Sequence, residues 1–364
     1  MKDFIPQIEP WIDEEELHQL KRVVESTYVT EHALTAEFEE QIKELTGAKH
    51  AIAVTNGTAA LYCCLKALGV GPGDEVIVPN ITFVASANAV IMTGASPVFC
   101  EIRSDTFCID VSAAEKLVNE NTRAIMPVHL YGQSADMDAL QRLAASESIF
   151  IIEDAAQGVG VKFNGKHVGT FGELGILSFY GNKTITCGEG GVILTDSDEL
   201  KEECYRLKNH GRSVKGIFKH EAIGYNFAFT EMQAAIGIAQ MNKLSRIIER
   251  KSKIRDLYYK ELSSFSSAFE PVYVDPRSSP VYWFTSFLAQ DRKNLQAFLR
   301  EQGIQTREFF YPLHLQPCYS NMRIEGEFKT SEEVYTKGIS LPSSYMLTGD
   351  NQMRVIDAVK EFYG

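Results

Sequence analysis

The 364-residue sequence has no apolar run that approaches the ~20 residues a membrane-spanning helix needs. Residues 1–6 also show no apolar signal-peptide core, so we expect a cytoplasmic protein with no membrane partner. Basic residues are in the minority, because 36 Lys and Arg stand against 48 Asp and Glu, for a formal net charge of −12. This balance argues against nucleic-acid binding, and an anionic ligand would have to be held by local positive groups.

The sequence also lacks paired cysteines. It has seven cysteines, an odd number, and no C-x-x-C motif. This pattern argues against a disulfide or zinc framework, so we expect reduced thiols and no bound metal. Cys187 lies close to a lysine discussed below, and a nucleophilic role competes there with that of a small packing residue.

Two common nucleotide-binding motifs are missing as well. No Gly-Lys-Ser/Thr of a Walker loop follows the first predicted strand, and no G-x-G-x-x-G occurs there. The second absence argues against a nicotinamide oxidoreductase, which is the main rival among proteins with a parallel sheet.

From about residue 50 the sequence alternates short apolar segments with amphipathic ones. Such alternation predicts an α/β fold with a mostly parallel sheet flanked by helices. The predicted strands are 50–54, 75–78, 97–101, 124–129, 149–153, 175–179 and 192–195. The predicted helices are 58–68, 85–93, 111–120, with Asp110 as its N-cap, 137–146 and 231–259.

The pattern changes towards the C-terminus, where a strand is predicted at 283–288 and helices at 293–302 and 352–362. We therefore predict two domains. The first is a large α/β domain over 1–245, which includes an N-terminal helix at 12–26. The second is a smaller α+β domain over 246–364.

One lysine carries most of the functional information. Lys183 follows an apolar stretch and lies between glycines that let the backbone approach a bulky ligand. Upstream, Asp154 ends an apolar strand, at the edge of the sheet where ligands bind in such folds. A lysine that forms a Schiff base and an aspartate for a pyridinium nitrogen are what a pyridoxal phosphate site requires. A helix N-cap is the alternative role for Asp154.

Other residues could complete such a site. Gly57 and Thr58 come between a strand and a helix, where free amides suit a phosphate, although an ordinary strand–turn–helix would look the same. Ser178 could add a phosphate hydrogen bond, and Gln157 could reach the ring hydroxyl. Phe83 could stack on the pyridine face or pack in the core.

Several stretches together resemble one family of sugar aminotransferases, usually called DegT/DnrJ/EryC1/StrS, which has the fold-type I architecture of pyridoxal phosphate enzymes. They are Asn56-Gly57-Thr58-Ala59-Ala60, Gly73-Asp74-Glu75-Val76-Ile77-Val78-Pro79, Pro127-Val128-His129-Leu130-Tyr131-Gly132-Gln133, Glu153-Asp154-Ala155-Ala156, the lysine run and Gly224-Tyr225-Asn226-Phe227. The resemblance implies that Lys183 is the Schiff-base lysine, that Asp154 pairs with the ring nitrogen, and that Gly57, Thr58 and Ser178 hold the phosphate. It also implies that Asn226 reaches the phosphate in a neighbouring subunit, and hence a homodimer with shared sites.

The implied reaction moves the amino group of L-glutamate to the keto carbon, C4, of a nucleotide-linked 4-keto-6-deoxy sugar. The lysine run is most similar to that of enzymes that form GDP-perosamine for cell-surface polysaccharide. Two alternatives stay open, a C3 aminotransferase for a dTDP- or UDP-linked keto-sugar and a catalytically silent regulatory relative. The residues Tyr28-Val29-Thr30-Glu31-His32-Ala33 depart from the family pattern, which often has a tryptophan in this stretch near the sugar nucleotide.

The pyrophosphate of such a substrate needs cations. The candidates are Arg212, Arg307 and His314, together with Lys251 and Arg255 on the long helix. A solvated basic face is the alternative for the helix charges, and packing is the alternative for His314.

Overall fold

The computed structural model describes residues 4–214, 216–322, 324 and 326–364. Its strands in chain order are β1 His50–Val54, β2 Glu75–Pro79, β3 Ser96–Cys100, β4 Thr122–Ile125, β5 Phe150–Asp154, β6 Lys162–Phe163, β7 Lys166–His167, β8 Leu174–Ser178, β9 Gly191–Thr195, β10 Phe269–Pro271, β11 Ser278–Ser279, β12 Thr285–Ala289, β13 Arg307–Glu308 and β14 Gly338–Leu341. Seven of them form the central sheet, in the order β1-β9-β8-β5-β4-β2-β3.

The central sheet is mostly parallel, as the sequence predicts. The pairs β2–β3, β2–β4, β4–β5 and β5–β8 are parallel, and β9 runs antiparallel to both β1 and β8. Neighbouring residues of one strand pack on opposite faces. In β5, Ile151 belongs to one apolar cluster and Ile152 to the other. Because both faces are covered, these strands have nearly continuous apolar sequences.

Helices cover both faces of this sheet. They are α1 Glu14–Ser26, α2 Ala33–Thr46, α3 Gly57–Ala67, α4 Ala85–Met92, α5 Val111–Glu115, α6 Met137–Glu147, α7 Asp198–Lys208, α8 Glu231–Glu261, α9 Arg292–Glu301, α10 Lys329–Lys337 and α11 Gly349–Tyr363. Leu61 and Leu65 of α3 pack on one face, and Phe38 of α2 and Ile238 of α8 pack on the other. In the part of the chain that is described, no helix combines the length and the apolarity that crossing a bilayer requires.

A second, antiparallel sheet lies in the C-terminal part and has the strand order β10-β12-β14-β13. It shares an apolar cluster with α9, α11 and the last turns of α8. Ile5 belongs to the same cluster and forms a bridge with Ile304, so the N-terminal residues also contact this part. The predicted domain boundary at residue 245 falls inside α8, which is one continuous helix of 31 residues. The division into 1–245 and 246–364 stays a prediction.

Three helices, α2, α7 and α10, are absent from the sequence prediction. The N-termini of α2 and α10 lack a local side-chain cap. Instead, Glu231 accepts hydrogen bonds from backbone amides at the start of α2, and Glu101 does the same for α10. Helix α5 begins after its predicted cap, Asp110, but ends at Glu115 instead of continuing to 120.

Candidate active site

The carboxyl ends of β1, β2, β5 and β8 open into one cleft of about 1040 Å³. Ligands bind at this edge of the sheet in open α/β folds. The cleft lining contains most of the predicted site residues, namely Gly57, Thr58, Phe83, Asp154, Gln157, Ser178, Lys183 and Arg307. The elements that carry these residues are far apart in sequence, and the sheet brings them to one place.

Lys183 lies in the turn that follows β8. Its backbone amide donates to the carbonyl oxygen of Tyr180 at 2.9 Å, and its Nζ lies 4.2 Å from the centroid of the Trp283 ring. Burial lowers the pKa of the Lys183 amine to about 8, although the charge of Asp154 opposes the shift and that of Arg307 adds to it. A larger fraction of this amine is therefore neutral, and so nucleophilic, than of a solvent-exposed lysine.

Asp154 is the last residue of β5, and only 5% of its surface is exposed. Its Oδ2 accepts a hydrogen bond of 2.7 Å from the hydroxyl of Ser86, and its Oδ1 accepts one of 3.1 Å from the amide of Ala156. A turn follows β5, so Asp154 has no helix to cap there. The carboxylate is thus held in the cleft floor within reach of a cationic partner.

A buried ion-binding network supports the end of β5. The Nδ1 of His129 accepts from the amide of Ala135 at 3.2 Å, which leaves Nε2 to donate to Glu153 at 2.9 Å. Burial raises the pKa of the Glu153 carboxyl, but His129 and backbone amides lower it further, so its pKa lies below the ordinary value. These bonds fix the residue next to Asp154. His129 therefore supports the strand end, as its sequence position indicates.

Gly57 and Ser178 form a narrow cradle at the N-terminus of α3. A Cβ on Gly57 would lie 3.2 Å from the Cβ of Ser178, tighter than ordinary contacts, so glycine keeps this passage open. Asn56 caps α3 through its side chain, which accepts from Ala59 at 2.9 Å. The amides at the helix start and the hydroxyls of Thr58 and Ser178 suit a phosphate. Together with Asp154 and Lys183, the cradle fits pyridoxal phosphate.

Phe83 and Gln157 complete this side of the cleft. Phe83 is 57% exposed and faces the cleft rather than the core, so the packing alternative does not describe it. Gln157 is buried, and its Oε1 accepts a hydrogen bond of 2.6 Å from the amide of Tyr131. This bond orients the amide nitrogen of Gln157 as the end available to a ligand.

Three predicted residues lie outside the cleft lining of the single chain. Asn226 is exposed, and its backbone forms a bridge with Asn209. Arg212 turns back and donates to the Oδ1 of Asn209 at 2.6 Å. His314 bonds to Asn80, at 2.8 Å from Nδ1, and to Glu332, at 3.3 Å from Nε2.

The helix cations are also engaged elsewhere. Lys251 is buried, and its Nζ donates to the carbonyl oxygens of Trp283 and Ser343, both at 3.0 Å. Arg255 packs over the rings of Tyr259 and Tyr282. Cys187 lies in the core, where burial raises the pKa of its thiol, so it is a packing residue.

Sequence reasoning missed two residues of the cleft. Ser86 orients Asp154 but has only its position three residues after Phe83 to suggest this role. Trp283 touches Lys183 from a segment one hundred residues downstream. Its signal in the sequence is rarity, since the chain has two tryptophans.

Comparison with known proteins agrees with this site. The model of the DegT/DnrJ/EryC1/StrS aminotransferase family matches residues 10–360. Over 99% of both chains, the sequence is 37% identical to the GDP-perosamine synthase of Vibrio cholerae and 38% identical to that of Escherichia coli O157:H7. The structure of S. venezuelae DesV in complex with a ketimine intermediate is 34% identical, with a TM-score of 0.92 over 98% of both chains. The chain therefore belongs to the DegT/DnrJ/EryC1/StrS family of pyridoxal phosphate-dependent aminotransferases.

Proposed function

We propose that this aminotransferase forms GDP-perosamine, by moving the amino group of L-glutamate to C4 of a GDP-linked 4-keto-6-deoxy sugar. The observation that carries the catalytic part is the placement of the Lys183 amine and the Asp154 carboxylate in one cleft beside the Gly57–Ser178 cradle. The sugar is supported by the two full-length relatives named as GDP-perosamine synthases. These relatives do not favour the C3 alternative with a dTDP- or UDP-linked sugar.

Each cofactor-side residue has a separate task in this proposal. Pyridoxal phosphate supplies, when bound, an aldehyde that exchanges amines and a ring that accepts electrons from the Cα–H bond. Gly57, Thr58 and Ser178 would bind its phosphate at the positive end of α3. Asp154, oriented by Ser86, would keep the ring nitrogen protonated by accepting its N–H.

Lys183 would do the acid–base work. Once its amine is displaced by the amino donor, it is free to take the proton from the donor Cα and to deliver it to the cofactor C4′. It would run the same transfer in reverse when the sugar is the acceptor. The pKa of about 8 suits both steps, because general acid–base catalysts work best when their pKa lies near the operating pH. An intact lysine and aspartate also argue against a silent regulatory relative.

The substrate side is proposed with less of the site in one chain. Arg307 lines the cleft and is the cation we assign to the sugar-nucleotide phosphates. For Asn226 we propose that a homodimer brings its side chain to the cofactor phosphate of the partner subunit, and Arg212 lies close to it in the same region. For His314 the bonds to Asn80 and Glu332 favour the packing role.

The test of the proposed sugar is a substrate panel. Purified enzyme is given L-glutamate and, in turn, GDP-, dTDP- and UDP-linked 4-keto-6-deoxy sugars. The position of the new amino group is then read by NMR. We expect 4-amination of the GDP-linked sugar with the highest kcat/KM. Preference for dTDP or UDP, or amination at C3, would refute the proposed substrate but leave the aminotransferase assignment in place.

A further inference from the structure

Trp283 lies in the wall of the cleft directly beside the catalytic lysine. Its ring centroid is 4.2 Å from the Nζ of Lys183, and its indole Nε1 donates a hydrogen bond of 2.6 Å to the carbonyl oxygen of Asn182. One side chain therefore contacts the amine and also holds the peptide group immediately before it. Only 3% of Trp283 is exposed, so this geometry is confined by packing.

The backbone of Trp283 is itself held from two directions. From α8, the buried Nζ of Lys251 donates to the carbonyl oxygens of Trp283 and Ser343, both at 3.0 Å. From the other side, the amide of Val281 donates to the carbonyl oxygen of Gly132 at 3.1 Å. A Cβ on Gly132 would collide with the carbonyl oxygen of Val281, so only glycine permits this approach. The indole cannot shift without disturbing these contacts.

The indole acts on the amine in two opposite ways. Its π face attracts an ammonium group, which favours the protonated lysine. Its bulk also keeps water from the amine, which favours the neutral lysine. The second effect is the larger one at this site, because burial lowers the pKa of Lys183 to about 8.

We propose that Trp283 is a positioning residue for Lys183: the indole N–H fixes the turn at 181–183, and the ring confines the amine to the space above the cleft floor. The proposal rests on the proposed function for the role of Lys183, but the contact between the two side chains does not depend on turnover. If Trp283 were only a packing residue, its conservative replacement would change stability without changing the chemistry of Lys183.

The first test uses the fact that Trp11 and Trp283 are the only two tryptophans. Trp11 stacks on Tyr345 at 3.9 Å and is not in the cleft lining, so Trp11→Phe leaves Trp283 as the single reporter. In full-length, cofactor-free Trp11→Phe protein, we expect indole fluorescence to titrate with a midpoint near pH 8 as Lys183 changes charge. The Trp11→Phe/Lys183→Met double variant should lose that transition. A titration that is absent, or that persists without Lys183, overturns the proposed contact.

The second test compares Trp283→Phe with the matched control Trp11→Phe. Pyridoxal phosphate is added to cofactor-free protein at a series of pH values, borohydride traps the adduct, and its yield at Lys183 is measured by mass spectrometry. We expect the midpoint for Trp283→Phe to rise above that of the wild type, because a loosened turn admits water to the amine. Its kcat should fall roughly tenfold with little change in the KM for glutamate, since misplacement by about 1 Å costs rate rather than binding.

Trp11→Phe should match the wild type in both measurements. The same midpoint and the same kcat in Trp283→Phe as in the wild type would overturn the positioning role. If Trp283→Phe does not fold, the fluorescence titration decides, because it leaves Trp283 intact. Failure of either test affects Trp283 alone, whereas a failure of amino transfer with every sugar in the panel affects the proposed function alone.

Discussion

The cofactor side of the cleft and the side predicted to hold the sugar nucleotide are built differently. On the cofactor side, Asp154 and Gln157 are buried and held by hydrogen bonds from Ser86 and from the backbone. On the other side, Arg307 is a cleft residue, whereas Arg212 bonds to a neighbouring asparagine outside the cleft.

This difference shows which part of the site one chain can preorganise. Strand ends in a covered parallel sheet have fixed positions, so groups placed there can meet a rigid ring with little loss of entropy on binding. Loops at 209–226 and 309–316 lie outside that sheet, and their polar groups bond locally. We therefore expect mutations on the cofactor side to reduce kcat, and mutations on the other side to change KM, assembly or stability.

The largest effect is expected from Lys183→Ala. It should lower turnover by at least about 10³-fold, since general acid–base catalysis alone contributes about 10²–10⁴-fold. Its free energy of unfolding should change by less than about 1 kcal/mol, because the amine is desolvated and packs little. Single-turnover kinetics and chemical denaturation measure the two effects. Lys116→Ala, at an exposed position, is the control, and substantial residual amino transfer in Lys183→Ala would refute the assigned role.

Asp154→Asn should come next, with a loss of about 10²–10³-fold in kcat, as for removal of one preorganised electrostatic partner. The amide keeps the shape of the side chain but cannot hold a protonated ring nitrogen. Ser86→Ala should cost less, because the carboxylate remains and only its orientation is lost. Steady-state kinetics on both variants, loaded with cofactor, measure the difference. A Ser86→Ala enzyme slower than Asp154→Asn would reverse the assigned order.

Asn226→Asp tests whether the two sides meet across subunits. It should lower activity by about tenfold or more, because its charge would repel a cofactor phosphate. Mixing it with Lys183→Ala under conditions that exchange subunits should restore roughly a quarter of wild-type activity, since half of the random dimers carry one intact site. Mixing without exchange is the control. No recovery after confirmed exchange would place Asn226 and Lys183 in the same subunit's site.

Arg307→Ala and His314→Gln should separate binding from packing. Arg307→Ala should raise the KM for the nucleotide sugar about tenfold, because a charge-assisted phosphate contact of about 1.5 kcal/mol is lost. His314→Gln should leave that KM unchanged and lower the free energy of unfolding by about 1 kcal/mol, through its bond with Asn80. Kinetics with sugar as the varied substrate, together with thermal unfolding, check both variants. A raised KM in His314→Gln would return it to the substrate side.

The smallest expected effect is a pH dependence. Capture of pyridoxal phosphate by cofactor-free protein needs a neutral Lys183. Because burial lowers the pKa to about 8, the capture rate should rise through that pH and level off above it. A surface lysine would keep rising to about pH 10. Stopped-flow absorbance measures the rate, and a midpoint near 10 would mean that the amine is solvated.

The sequence predicts the parts of this fold that depend on local patterns. Apolar runs such as Ile151-Ile152 mark central strands, and Asp110 marks the start of α5. Helix α7 also has a local signal, the N-cap Ser197, which the sequence prediction overlooked. By contrast, α2 and α10 are capped by Glu231 and Glu101 from distant segments, and no local pattern reveals such caps.

The same distinction applies to the site. The strand-end position of Asp154 and the glycines around Lys183 are visible in the sequence, and the cleft contains both residues. The contact of Trp283 with Lys183 spans one hundred residues and depends on how the C-terminal part packs on the sheet. The engagement of Arg212 and His314 with Asn209 and Asn80 is likewise set by loop packing, so their charge alone suggested a wider set of substrate contacts.

The central claim is that Lys183 binds the cofactor aldehyde while Asp154 faces it across the cleft. Borohydride reduction of the cofactor-loaded enzyme, followed by peptide mapping, tests this most directly. The account predicts one phosphopyridoxyl group per chain, on Lys183. The label on any other residue, or no label on a protein that holds the cofactor, would contradict it.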